Sequence, residues 1–326
     1  MSDRAITIKA PSRLHFGMLS FGQPGQRQFG GVGAMVDRPG LEISARRSSS
    51  FEVHGPLAER ARRFAQRVAR RLGMGDEPPV RLEILRAPPQ HVGLGAGTQL
   101  GMSVTAAMLA VGRRRIPPPA QLASLAGRGQ RSAVGLYGFR YGGLLAEAGK
   151  LPGQDVSPLV ARVVLPAAWR FVLLLPTAGE GLSGEAELSA FSQLPPISRE
   201  TTNRLCRELV LNLLPAASAG DFDAFAASLF RYGHLAGTCF AHHQCGAFAT
   251  AELARRVQCV RSLGVDGVGQ SSWGPTLFAV FPTRLDAQRF ARRFRQRSES
   301  EGVDLLIARP TSRGARLRTT DPTHAR

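Results

Sequence analysis

Four glycine-rich stretches hold the residues best able to do chemistry. One, "HVGLGAGTQLGMS" over residues 91–103, sets Gly93, Gly95 and Gly97 ahead of Thr98, where a helical pattern begins. Glycine lets a backbone turn tightly and approach a ligand, and the free N–H groups at a helix start attract an anion. The spacing predicts a phosphate cradle. An earlier stretch, "APSRLHFGMLSFGQPGQRQFGGVGAMVDRP", carries Ser12, Arg13, His15 and Asp37, and a late one, "GVGQSSWGPTLFAV", carries Ser271, Ser272, Trp273 and Gly274. Between them "GRGQRSAVG" adds Arg128, Arg131 and Ser132, a composition suited to wrapping backbone and guanidinium groups around an anion.

Residue chemistry narrows the roles. Arginine forks around phosphates and carboxylates, so Arg13, Arg128 and Arg131 are expected anion ligands. His15 has two readings, a substrate-facing group that handles a proton near neutral pH or a satisfied core histidine. Trp273 is either an apolar wall for an aromatic ring or a core residue at a strand entry. Asp37 reaches magnesium or a ribose hydroxyl in one reading and caps a turn in the other. Thr98 offers a hydroxyl to a metal or a phosphate. In "HLAGTCFAHHQCGAF" the residues His234, Cys239, His242, His243 and Cys245 crowd together without any standard zinc-finger spacing, and a helix end near a cleft is the preferred reading.

The elements that position these groups follow from periodicity. "AITIKA", "LEISAR", "FEVHG" and "VRLEILR" read as strands, with the glycine-rich stretch from Gly17 to Gly40 as a ligand-sized loop. Leu57, Ala61, Phe64, Val68 and Leu72 recur at helical steps, and the arginines around them read as a solvated face. Leu100, Val104, Met108 and Val111 form the stripe of the helix after the cradle. "GKLPGQDVSP" reads as a linker, dividing the chain into domains 1–158 and 159–326. The second half alternates strands "RFVLLLP", "TLFAVF" and "VDLLIA" with helices near 199–214, 221–236, 248–263 and 283–298, so an α+β sandwich is expected.

Composition excludes other classes. The chain has 326 residues and a formal net charge of +18, but lysine occurs only at Lys9 and Lys150 and the arginines are spread over every helical segment. No aromatic residues interleave with them as a stacking platform needs, so nucleic acid is not the expected partner. The longest apolar runs fall far short of the roughly 20 residues that cross a bilayer. "MSDRAITIKAP" lacks an apolar signal core, which makes the cytoplasm the expected location. Four cysteines without a C-x-x-C pair are expected as free thiols.

In order and spacing the four motifs resemble the GHMP superfamily of small-molecule kinases and relatives. "SRLHFG", "HVGLGAGTQL", "GRGQRSAVG" and "GVGQSSWGPTLFA" are most similar to the β-ribofuranosylaminobenzene 5'-phosphate synthase family. The resemblance implies a two-domain GHMP-kinase-like α+β fold, with a ribosomal-protein-like N-terminal domain holding the phosphate loop and a ferredoxin-like C-terminal α/β sandwich. It further implies condensation of phosphoribosyl pyrophosphate with 4-aminobenzoate or 4-hydroxybenzoate, losing pyrophosphate and carbon dioxide, in methanopterin-type cofactor synthesis.

Carried onto this sequence, the catalytic residues are His15, Arg13 and Arg131. Gly93, Gly95, Gly97, Thr98, Arg128 and Ser132 hold phosphate. Ser12, Asp37, Ser271, Ser272, Trp273 and Gly274 contact substrate, and Thr98 with Asp37 would hold Mg2+. A homodimer is left open. The alternatives are an ATP-dependent small-molecule kinase and a non-catalytic phosphosugar-binding protein. The kinase pattern is incomplete, since the serines common after the central G-L-G are absent and no acid follows Gly135; against the synthase family, Ala96 stands where serine is frequent and Ala133 where glycine is frequent.

Overall fold

The computed structural model describes residues 4–178, 194–242 and 244–320. Strands β1 (Ala5–Met18) and β2 (Gly31–Arg47) form a long antiparallel pair. Both are longer than expected, because the stretch read as a ligand-sized loop folds in part into β2. Gly33 lies so close to the Leu14 carbonyl and Val134 that a Cβ would collide with both, so the glycine permits tight packing in the strand. A seven-stranded sheet grows from this pair. β4 (Val80–Arg86) and β3 (Glu52–His54) extend one side, β11 (Arg316–Thr320) flanks β1, and β5 (Leu144–Glu147) with β6 (Leu159–Val163) branches from β2.

Helix α1 (Ala58–Arg71) crosses between the parallel strands β3 and β4, burying Ala61, Ala65, Val68 and Ala69. Helix α2 (Ala96–Val111) begins directly after the cradle and is buried on nearly every side, as its small and apolar residues require. α3 (Pro119–Ala126) and α4 (Val134–Tyr141) complete this layer. The glycine-rich arginine segment thus ends in a helix. Its start is held by the buried carboxylate of Glu147, which accepts from Ser132 Oγ at 2.6 Å and from the Ala133 N–H at 2.8 Å.

A second sheet has the order β10 (Val303–Ala308), β7 (Arg170–Pro176), β9 (Leu277–Phe281), β8 (Val268–Gln270). Around it pack α5 (Arg199–Glu208), continued by a π turn at Leu209–Leu213, α6 (Leu214–Ala219), α7 (Phe222–Thr238), α8 (Ala251–Ser262) and α9 (Arg284–Phe294). The result is the mixed architecture of an α+β protein. One core cluster joins Leu14 and Phe16 of β1 to Phe171, Phe225 and Phe278 of the second half, with Phe16 and Phe278 ring centres 5.0 Å apart. The large sheet contains strands from both sides of position 158, since β6 pairs with β5 and β11 with β1.

Candidate active site

The cradle is built as its glycines require. Gly95 caps α2 in the left-handed region at φ 71°, a conformation that favours glycine. Its carbonyl accepts from Thr98 N–H at 3.0 Å and Gln99 N–H at 3.1 Å. The Ala96 and Gly97 N–H groups, first in the helix, take no partner among the described residues. Helix starts of this kind present partial positive charge to an anion.

Guanidinium groups tile the loop. The backbone N–H of Arg13 donates to the Leu94 carbonyl at 3.0 Å, and its side chain lies beside Gly95. Arg128 donates to Thr98 Oγ1 at 3.1 Å. Arg60 of α1 donates to Gln90 Oε1 at 2.9 Å and covers Gly97, where a Cβ would collide with the guanidinium. Burial pulls the Arg60 pKa down, with Arg63 adding to the effect. Together with Arg131 they line a cleft of about 330 Å³, and no aspartate or glutamate among the described residues lines it.

The second half supplies the opposite wall. Ser272, Trp273 and Gly274 line the cleft, while Ser271 is buried behind them. Ser271 Oγ donates to the Gly93 carbonyl at 2.7 Å and accepts from the His15 backbone N–H at 3.1 Å. The Ser272 N–H donates to the His15 carbonyl at 3.0 Å. A smaller, largely apolar chamber of about 40 Å³ adjoins the cleft, with Phe16, Phe240, Phe248 and Trp273 among its walls. Trp273 meets Phe240 edge to face at 4.8 Å and belongs to a small apolar cluster, so it is both wall and packed residue.

His15 lines the cleft and the chamber. The residue is 2 % exposed, and Nε2 is buried with no hydrogen-bond partner among the described residues. Burial, and next the positive charge of Arg13, lower its pKa to about 3, so the imidazole is neutral. It is an uncharged hydrogen-bonding group at the junction of a cationic and an apolar space.

Most of the expected residues converge on this cleft. Arg13, His15, Gly93, Gly95, Gly97 and Thr98 line it, as do Arg128, Arg131, Ser132, Ser272, Trp273 and Gly274. Three of the expected residues do not. Ser12 is fully buried and donates to the Pro39 carbonyl, and Ser271 acts from behind the wall. Asp37 holds the start of the segment after β10: Oδ1 accepts from the Arg309 N–H at 2.8 Å and Oδ2 from Arg309 Nε at 3.0 Å. That pairing engages both carboxylate oxygens, and Asp37 does not line the cleft. His234 packs between Phe230 and Phe248, and His243 lies outside the described residues.

Arg60 was hidden among the helical arginines read as a solvated face. Its position three residues after Leu57 and four before Phe64 places it along the apolar stripe, the one sequence signal that separates it from its neighbours. His91 and Gln130 also line the cleft without having been singled out.

Residues 213–299 match the family described as GHMP kinases C terminal. The chain is 28% identical to β-ribofuranosylphenol 5'-phosphate synthase of Archaeoglobus fulgidus, over 96% of this chain and 99% of that protein. It is 29% identical to the protein of the same name from Methanothermobacter thermautotrophicus, over 84% and 88%. Over most of its length the chain is thus similar to β-ribofuranosylphenol 5'-phosphate synthases, and over residues 213–299 to the C-terminal region of GHMP kinases.

Solved structures of kinases and decarboxylases share its fold. Homoserine kinase from Cytophaga hutchinsonii matches with a TM-score of 0.70 at 16% identity, over 96% of this chain and 97% of that one. Mevalonate diphosphate decarboxylase from Staphylococcus aureus matches with 0.66 at 12%, over 98% of each. A third neighbour, MDDEF, was solved with MVAPP, AMPPCP and magnesium, and matches with a TM-score of 0.65 at 14% identity, over 97% of this chain and 99% of that one. No described helix is long and apolar enough to cross a membrane.

Proposed function

We propose that this protein joins phosphoribosyl pyrophosphate to a para-substituted benzoate. The observation that carries the reading is the adjacency of a guanidinium-lined cleft and an aromatic-walled chamber, with His15 facing both. The cleft suits a sugar bearing several phosphates, and the chamber mouth suits a flat ring. The relatives' name specifies a ribofuranosylphenol, which points to 4-hydroxybenzoate as the acceptor to test first.

The chemistry balances without an external proton. The anomeric C–O bond to pyrophosphate breaks with its electron pair leaving on oxygen. The ring carbon bearing the carboxylate bonds to the anomeric carbon. Loss of carbon dioxide then returns the C–C electron pair to the ring and restores aromaticity. Arg13, Arg60, Arg128, Arg131 and the α2 N–H groups are placed to stabilise charge growing on pyrophosphate. A neutral His15 tolerates positive charge building on sugar and ring better than an imidazolium would.

Magnesium, expected from the resemblance, finds a poor donor set here. The described lining residues include no carboxylate, Thr98 Oγ1 already accepts from Arg128, and Asp37 is paired with Arg309. These residues do not fit a protein-held Mg2+, which is ordinarily bound through carboxylates and substrate phosphates, and no step above passes through one. The same lack of a carboxylate disfavours the kinase reading, which needs a base and a metal ligand.

The deciding experiment supplies purified protein with phosphoribosyl pyrophosphate and carboxyl-labelled 4-hydroxybenzoate or 4-aminobenzoate. Protein-dependent labelled carbon dioxide with matching pyrophosphate is expected. Release with neither acid overturns the reading.

A further inference from the structure

The guanidinium of Arg60 reaches the cleft from α1, whereas Arg128 reaches it from the segment before α4 and bonds Thr98 Oγ1. Three observations show that it is held there. Gln90 Oε1 accepts from its Nη1 at 2.9 Å, fixing the plane of the group. Gly97 has no side chain at the one place where a Cβ would meet that guanidinium. No described carboxylate pairs with Arg60, whereas Arg231 and Arg256 elsewhere on helices have acidic partners at 2.7 and 2.6 Å. A desolvated, oriented cation without a protein anion is poised for a ligand anion.

Position along the loop indicates which anion. Arg13 lies beside Gly95, Arg60 covers Gly97 and Arg128 bonds Thr98, so the cations gather around the first turn of α2. Three guanidinium groups around one helix start offer more positive charge than a single phosphate neutralises, and a diphosphate supplies the additional anionic oxygens.

We propose that Arg60 is a specificity-determining residue that binds the terminal phosphate of the pyrophosphate arm, so that the cradle selects a sugar diphosphate over a sugar monophosphate. The inference rests on the proposed function and adds to it the residue that measures the length of the anion. Gln90 is then a positioning residue, acting through Arg60.

Calorimetric titration of wild type, Arg60→Met and Gln90→Ala with phosphoribosyl pyrophosphate, inorganic pyrophosphate and ribose 5-phosphate tests it, with circular dichroism checking each fold. Arg60→Met is expected to weaken both pyrophosphate-bearing probes by about tenfold or more, the loss of one charge-assisted bond. Ribose 5-phosphate binding should stay unchanged. Gln90→Ala should move the same two probes less. Equal losses for all three probes, or no loss in Arg60→Met, overturn the assignment while leaving the function standing. If the wild type binds neither pyrophosphate-bearing probe, the assignment and the function fall together. An Arg60→Met chain that does not fold is replaced by Arg60→Lys, in which the same probe-selective loss is expected and its absence overturns the proposal.

Discussion

Ser271 Oγ stands between Gly93 and His15, donating to the carbonyl of the first at 2.7 Å and accepting from the backbone N–H of the second at 3.1 Å. One hydroxyl from the late glycine-rich motif thereby ties the cradle of the middle motif to the strand of the first. Three segments remote in sequence are fixed to one another before any ligand arrives.

Ser271→Ala removes both bonds in a buried setting. A loss of about 1–3 kcal/mol in stability is expected from the unsatisfied groups left behind. Thermal unfolding checks it, and a transition unchanged from wild type would show that the hydroxyl is not holding the motifs together.

Gly97→Val places branched carbons where the Arg60 guanidinium lies. The helix behind is buried and well supported, so the expectation is a folded protein without turnover. Circular dichroism with the carbon dioxide assay reports the two properties separately, and full activity would remove the loop from the reaction.

Arg131→Ala should weaken phosphoribosyl pyrophosphate binding by about 1.5–3 kcal/mol, the range for a hydrogen bond to a charged group. Titration calorimetry at fixed ionic strength measures it. Unchanged affinity would leave Arg131 as a lining residue without contact to the ligand.

His15 provides a pH signature. Its folded pKa is about 3 against an ordinary 6.5, so between those values the unfolded chain binds the proton and the native chain does not. Stability from this group is therefore present above about pH 6.5 and lost as pH falls towards 3. His15→Asn should flatten that part of the stability profile relative to wild type, measured by denaturant unfolding across pH. In the wild type, the His15 ring signals should not titrate between pH 5 and 8 by nuclear magnetic resonance.

Much of the site was legible because its chemistry is written in short motifs. Arg13, Thr98, Arg128 and Trp273 sit in stretches whose glycines announce close backbone approach, and each of them lines the cleft. The pairing of Asp37 was not legible, because nothing local to it reveals that Arg309, far along the chain, would bond its carboxylate. Glu147 went unnoticed for a similar reason. Its role of holding the start of α4 through Ser132 and Ala133 arises only when β5 lies beside that turn. In the fold, β4 and β7 follow their sequence patterns closely, whereas β2 was concealed by glycines that read as a loop. Tertiary packing, with the Leu14 carbonyl and Val134 pressed against Gly33, decides that segment.

The return of β11 to β1, and of β6 to β5, has a consequence for how the molecule comes apart. A sheet that takes β6 and β11 from beyond residue 158 has no clean plane of separation, and the core cluster shared by Phe16 and Phe278 adds a second bond across the same divide. Severing the chain at its midpoint would strip each fragment of partners that the other holds. The protein should melt as one cooperative unit, its two halves gaining and losing order together.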